Sequence, residues 1–105
     1  MNTIMPTQKT KKLALMGFGN AGRAFAKLLI EKGKQIEEKY GYNVIVTAIA
    51  TGSRGNLVNS TGIDLAAALH DVETEGAFSS HMPLSQMSTM EIASNADYDV
   101  LVEMT

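Results

Sequence analysis

The chain contains no cysteine. That absence rules out disulfides and thiolate metal sites, and it suits a cytoplasmic protein. Charge of one sign is also lacking, since the formal net charge is -2. Such a balance gives no electrostatic footprint for a nucleic-acid or membrane partner. The local basic excess at Lys9, Lys11 and Lys12 reads as a solvated approach to the first strand. No apolar run reaches membrane-spanning length, and the first twelve residues lack the apolar core of a signal peptide. Internal repeats and low-complexity tracts are missing too. The two histidines, His70 and His81, stand in polar surroundings without metal-ligand spacing, so both are expected at the surface.

What is present is a chain of 105 residues, 45% hydrophobic and 19% charged, which reads as one soluble globular unit. Its clearest feature is Leu13-Ala-Leu-Met-Gly17-Phe-Gly19-Asn-Ala-Gly22. A short, almost purely apolar run is expected of a parallel strand buried on both faces, and this one feeds directly into G-x-G-x-x-G. Gly17 allows the tight turn off the strand, and Gly19 lets a pyrophosphate approach the backbone. Gly22 lets the following helix pack closely on the sheet. The helix N-terminus then offers N–H groups and a partial positive charge to phosphates. By itself the motif also fits a glycine-rich structural turn. A strand before it and a helix after it favour dinucleotide binding.

Further along, residues 1–10 read as a loose polar arm. A long helix is expected over 21–39, with Ala21, Phe25, Leu28, Leu29 and Ile36 on one face. Lys27–Glu31 and Lys34–Glu38 are spaced as i, i+4 pairs on the wet side. Gly41 suits the left-handed residue that ends a helix. The second strand, 43–50, is again continuous and β-branched, which implies a right-handed parallel crossover. Residues 51–56 then form a loop at the strand's C-terminal end, the edge where open α/β sheets bind ligands. A short helix is expected over 64–69 with Ser60 or Thr61 as cap. Residues 71–83 lose any period, and a strand near Phe78 would be very short. Leu84, Met87 and Met90 suggest a helix over 84–93, with methionine as soft core packing. Asn95 and Asp97 mark the turn into a third strand over 100–105. These elements imply a Rossmann-like, doubly wound parallel sheet, incomplete at three to four strands. Residues 1–105 would be the N-terminal part of a dinucleotide-binding domain from a longer protein.

The second loop bears on the cofactor. In the NAD version of this unit an Asp or Glu at the end of the second strand meets the ribose 2′-OH. Here the strand runs out as Ala50-Thr51-Gly52-Ser53-Arg54, with no acid. Arg54 could make charge-assisted hydrogen bonds to a 2′-phosphate, with Ser53 adding a hydroxyl donor, so NADP is favoured and NAD stays open. The plainer reading of Arg54 is a solvated loop residue. Glu103 is given no chemistry.

Taken together, Ala14-Leu-Met-Gly-Phe-Gly-Asn-Ala-Gly-Arg23, Gly52-Ser-Arg-Gly55, Gly62-Ile-Asp-Leu65 and Asp99-Val-Leu-Val-Glu-Met-Thr105 resemble the N-terminal part of homoserine dehydrogenase. The resemblance covers most of the chain but only the first part of such an enzyme. It implies NAD(P)-dependent interconversion of aspartate 4-semialdehyde and homoserine, a step in threonine, methionine and isoleucine synthesis. It also implies that Gly17, Phe18, Gly19, Asn20, Ala21 and Gly22 hold the pyrophosphate. Ser53 and Arg54 would meet the adenosine ribose or its phosphate, and Met104 and Thr105 would border the nicotinamide. The third visible strand would lie beside the first, opposite the second. The family's catalytic lysine and acidic substrate-binding residues have no counterpart here, so no residue is assigned catalysis and the chain alone is expected to be inactive. A homo-oligomer acting on a small molecule is implied for the full-length enzyme. Three other readings stay open: another amino-acid or sugar dehydrogenase, a non-catalytic nucleotide-sensing module, and a ligand-free α/β unit.

Overall fold

Residues 13–16 and 46–50 are buried without a break. A strand segment with no exposed face has to lie inside a sheet covered on both sides. The computed structural model, which describes residues 9–104, shows that arrangement. β1 (Lys9–Met16), α1 (Asn20–Tyr40) and β2 (Tyr42–Ala50) make the first strand–helix–strand unit, with the two strands parallel. β3 (Asn56–Val58), α2 (Leu65–Glu75), β4 (Leu84–Ser85), α3 (Thr89–Asn95) and β5 (Val100–Glu103) follow. The five-stranded sheet has the order β4-β3-β2-β1-β5. β5 thus runs parallel to β1 on the side away from β2, where the resemblance puts it.

The expected parallel sheet is there as a core, within five strands where three to four are expected. β3 returns antiparallel along β2, and β4 lies antiparallel to β3, so the sheet is mixed with a parallel core. These two strands have three and two residues, too few to show a period in sequence. No strand forms at Phe78. Its side chain is buried instead, packed on Phe18 with ring centroids 5.7 Å apart. β1 starts at Lys9, so Lys9 and Thr10 belong to the sheet and not to an arm. The rest of that arm lies outside the described residues.

A bulge in β2 decides which side chains face which layer. Leu13 pairs with Val46 and Ala14 with Ala48, so Thr47 is the extra residue. Val44 and Val46 before it, and Ile49 after it, join Leu13, Leu15, Phe18 and Ala26 in the core on the α1 and α2 side. Ala48 and Ala50 face the other way, with Ala14, Met16 and Ile92 of α3. Three alanines on that face leave room for a short helix to approach closely. The Thr47 hydroxyl, almost fully buried, donates to the Asp97 carbonyl at 2.6 Å. At the same end of the sheet the Lys12 ammonium meets Asp97 at 2.6 Å, and the Lys12 N–H donates to the Asp99 carboxylate at 2.8 Å.

The helices differ from expectation in instructive ways. α1 covers the expected span and ends at Gly41 in the left-handed conformation, φ 74°. Its buried face is Gly22 and Ala26, flanked by Phe25 and Leu29, whereas Ala21 is exposed and Leu28 half-exposed. Lys27 pairs with Glu73 of α2 at 2.9 Å, not with Glu31. α2 runs on to Glu75, past the expected 69, because Asp71 and Val72 continue its buried stripe. Its cap is Asp64, which accepts from the Ala67 N–H, while the Thr61 hydroxyl donates to Asn59. The helix expected over 84–93 starts only at Thr89. Ser88 and Glu91 close a capping box there, while Leu84 is half-exposed and Met90 largely exposed.

Candidate functional site

Three parallel strands finish side by side, and the chain leaves each at the same edge. The Gly17 N–H donates to the Ala50 carbonyl at 2.8 Å, and the Met104 N–H donates to the Met16 carbonyl at 2.8 Å. The glycine turn, the loop after β2 and Met104 are thereby tied into one row.

The glycines act as their spacing suggests. Gly17 has φ 110°, a conformation costly for any residue with a Cβ. A Cβ on Gly22 would lie 2.6 Å from the Gly17 carbonyl oxygen and 3.7 Å from the Met104 Cβ. Gly22 is therefore what lets α1 close on the turn and on the end of β5. A Cβ on Gly19 would meet nothing within 4 Å among the described residues, so the turn is open on that side. Gly19 is also the N-cap of α1, and among the described residues no side chain caps that first turn. Its N–H groups are left to other acceptors, as an anion site requires. A pyrophosphate therefore fits this turn. Phe18 differs from its neighbours in the motif: its ring is 2% exposed and packs inward on Phe78, leaving only its backbone at the edge. Asn20 and Ala21 are exposed at the start of α1.

The loop after β2 is shaped by side chains. The Thr51 hydroxyl donates to the Gly55 carbonyl at 2.7 Å and accepts from the Arg54 N–H at 2.9 Å. Asn56 Oδ1 accepts from the N–H groups of Thr51 and Gly52, at 2.9 and 3.0 Å, and its Nδ2 donates to the Met87 carbonyl. Thr51 and Asn56 are the organising residues that sequence reasoning passed over. Their signal was a threonine and an asparagine bracketing two glycines, at Gly52 and Gly55, both with positive φ. Within this frame Ser53 is exposed, and Arg54 donates through Nη1 to the Gly76 carbonyl at 3.2 Å. Both stand at the same edge as the glycine turn. Thr105 lies outside the described residues.

His70 and His81 are exposed, as expected. Both line a cleft of about 640 Å³ behind Phe78, together with Asp71 and Ser79. There the Ser79 hydroxyl and N–H both donate to Asp71, at 2.7 and 3.0 Å. These bonds hold the Asp71 carboxyl below the usual range, with a smaller electrostatic contribution from His81 and His70. Among the described residues no group of three or more His, Cys, Asp or Glu could hold a metal ion, and no helix is long and apolar enough to cross a membrane.

A parallel core with a glycine turn at its carboxyl edge and helices on both faces defines a Rossmann-like α/β unit of the dinucleotide-binding kind. Its relatives give the class a particular form, for the chain is similar to homoserine dehydrogenases. It is 29% identical to the homoserine dehydrogenase of Methanocaldococcus jannaschii, over 89% of its own length and 27% of the relative's. It is 26% identical to an NAD(+)-dependent homoserine dehydrogenase of Pseudomonas canavaninivorans, with 90% and 27% covered. A solved Archaeoglobus fulgidus structure assigned to homoserine dehydrogenase superposes with TM-score 0.68 at 32% identity, over 87% of this chain and 26% of that one. A hyperthermophilic archaeal homoserine dehydrogenase in complex with NADPH superposes with TM-score 0.76 at 22% identity, over 91% of this chain and 28% of that one. No family model matches. The chain spans about 27% of the length of the curated relatives it matches.

Proposed function

We propose that the carboxyl edge of β2, β1 and β5 binds NADP(H), and that the chain is the dinucleotide-binding part of a homoserine dehydrogenase. The observation that carries this reading is the glycine turn: at positive φ at Gly17, closed by Gly22, and open at Gly19 where a pyrophosphate would lie. The backbone of Gly17, Phe18, Gly19, Asn20, Ala21 and Gly22 would hold the pyrophosphate. Ser53 and Arg54 would meet the adenosine ribose and its 2′-phosphate. Met104 and Thr105 would border the nicotinamide. The absence of an acid after β2 supports NADP over NAD, while the NAD(+)-dependent relative supports NAD as the second reading. The cofactor would carry the hydride to or from the substrate, and the protein's part is to bind and orient it.

The full-length enzyme would interconvert aspartate 4-semialdehyde and homoserine in threonine, methionine and isoleucine synthesis, as a cytoplasmic homo-oligomer. No residue of this chain takes a catalytic role, so the 105-residue chain alone should not oxidise homoserine. Calorimetric titration of the folded chain with NADPH and NADH tests the reading. Tighter NADPH binding, with the preference lost in Arg54→Ala, supports both assignments. Equal binding of the two removes Arg54 from its role, and absence of binding by a folded sample overturns the cofactor assignment.

A further inference from the structure

Arg23 follows the last glycine of the motif and turns its side chain back along α1. Its Nε donates to the Gly19 carbonyl at 3.2 Å, and its Nη2 donates to Asn20 Oδ1 at 2.8 Å. A guanidinium has donors only, so the atom of Asn20 that faces it has to be the amide oxygen. This removes the usual ambiguity of an amide's orientation. The two Nδ2 protons then lie on the other side of Asn20, and nothing among the described residues accepts them. Asn20 opens α1 beside the uncapped turn.

The surroundings leave this arginine's charge in place. Arg23 lines a cleft of about 210 Å³ with Asn20, Ala24, Lys27 and Glu73. The carboxylate there is already taken, since Glu73 pairs with Lys27 at 2.9 Å. The hydrogen bond and charge of Lys27, with a smaller contribution from Arg23, hold the Glu73 carboxyl below its usual range. Among the described residues, Arg23 itself bonds only neutral oxygens of the glycine turn.

We propose that Arg23 is a positioning residue of the dinucleotide site, locking the Asn20 amide with its nitrogen presented to the cofactor's pyrophosphate. This deepens the dinucleotide reading above and rests on it. Asn20 is the group that touches phosphate, and Arg23 acts through it.

The test is a double-mutant cycle on the 105-residue chain, with NADPH affinity as the readout and circular dichroism as the check on folding. Asn20→Ala should weaken NADPH roughly tenfold, the scale of one hydrogen bond to a charged group, and Arg23→Met should weaken it by a similar factor. The double variant should bind about as well as Asn20→Ala alone, because the two changes remove the same interaction. Arg23→Lys, which keeps the charge but loses the planar fork, should restore only part of the affinity. A double variant in which the two losses multiply would overturn the proposal, because Arg23 would then act independently of Asn20. So would full affinity in Arg23→Met. If the unmodified, folded chain binds no NADPH, the dinucleotide reading itself fails and this inference goes with it.

Discussion

Two loops leave neighbouring strands at the same edge of the sheet, and they are built by different means. The turn after β1 is shaped by what its residues lack. Gly17 takes a positive φ, Gly22 has no Cβ to strike the Gly17 carbonyl, and no side chain caps α1. The loop after β2 is shaped by what its residues carry, namely the Thr51 hydroxyl and the Asn56 amide, which between them satisfy four backbone groups of the loop. The first loop leaves its backbone donors for a ligand, whereas the second spends its polar groups on itself. A turn made of absences leaves donors open, and a loop made of side chains holds residues such as Arg54 in place.

Substitutions can break this contrast, and the largest effect is expected at Gly22. Gly22→Val puts a branched side chain where even a Cβ would lie 2.6 Å from backbone. Urea denaturation should show a loss of about 3 kcal/mol, the upper range for overpacking. In the second loop, Asn56→Ala strands the Thr51 and Gly52 N–H groups and the Met87 carbonyl. The same measurement should show a loss of about 2 kcal/mol, typical of unsatisfied partly buried groups. If Asn56→Ala proved neutral, the loop would not be side-chain built.

Acid sharpens the comparison, because the glycine turn carries no titratable group while the 76–82 turn hangs on Asp71. The folded-state pKa of Asp71 is lowered, with the Ser79 hydrogen bonds as the main cause. Its contribution is therefore fully present above the ordinary carboxylate value of about 4, and is lost as pH falls through the lower folded value. Thermal midpoints measured below pH 4 should fall more steeply for the unmodified chain than for Asp71→Asn. The smallest effect on stability is expected at Gly19, where a Cβ meets nothing. Gly19→Ala should shift stability by less than about 0.5 kcal/mol, the usual range at uncrowded surface positions, yet weaken NADPH in a titration. A large loss of stability there would show that the turn is held for folding and not kept open for a ligand.

How much of this could be read in advance follows the same division. Glycine spacing, an apolar strand and a long amphipathic helix leave a trace in sequence, so β1, the glycine turn, α1 and β2 were legible. The loop after β2 was located, but the residues that build it were not, because hydrogen bonds from Thr51 and Asn56 have no period. β3 and β4 escaped for want of length. The methionines at 87 and 90 suggested a helix face, yet the stronger signal was Ser88 three residues before Glu91, whose capping box sets the start of α3. Val72 and the buried Asp71 extend α2 into a stretch whose sequence shows no period.

The position of β5 has a consequence for how the chain assembles. β1 is the middle strand of the parallel core, yet its second partner comes from the far end of the described chain: the Lys12–Asp99 bond spans 87 residues. On the ribosome β1 and β2 can pair early through the α1 crossover, while the other edge of β1 has to wait for residues 100–103. Contacts of such long separation slow folding, and an apolar edge left open in the meantime invites pairing with another chain. The strand that carries the glycine turn is thus among the first made and among the last to be enclosed.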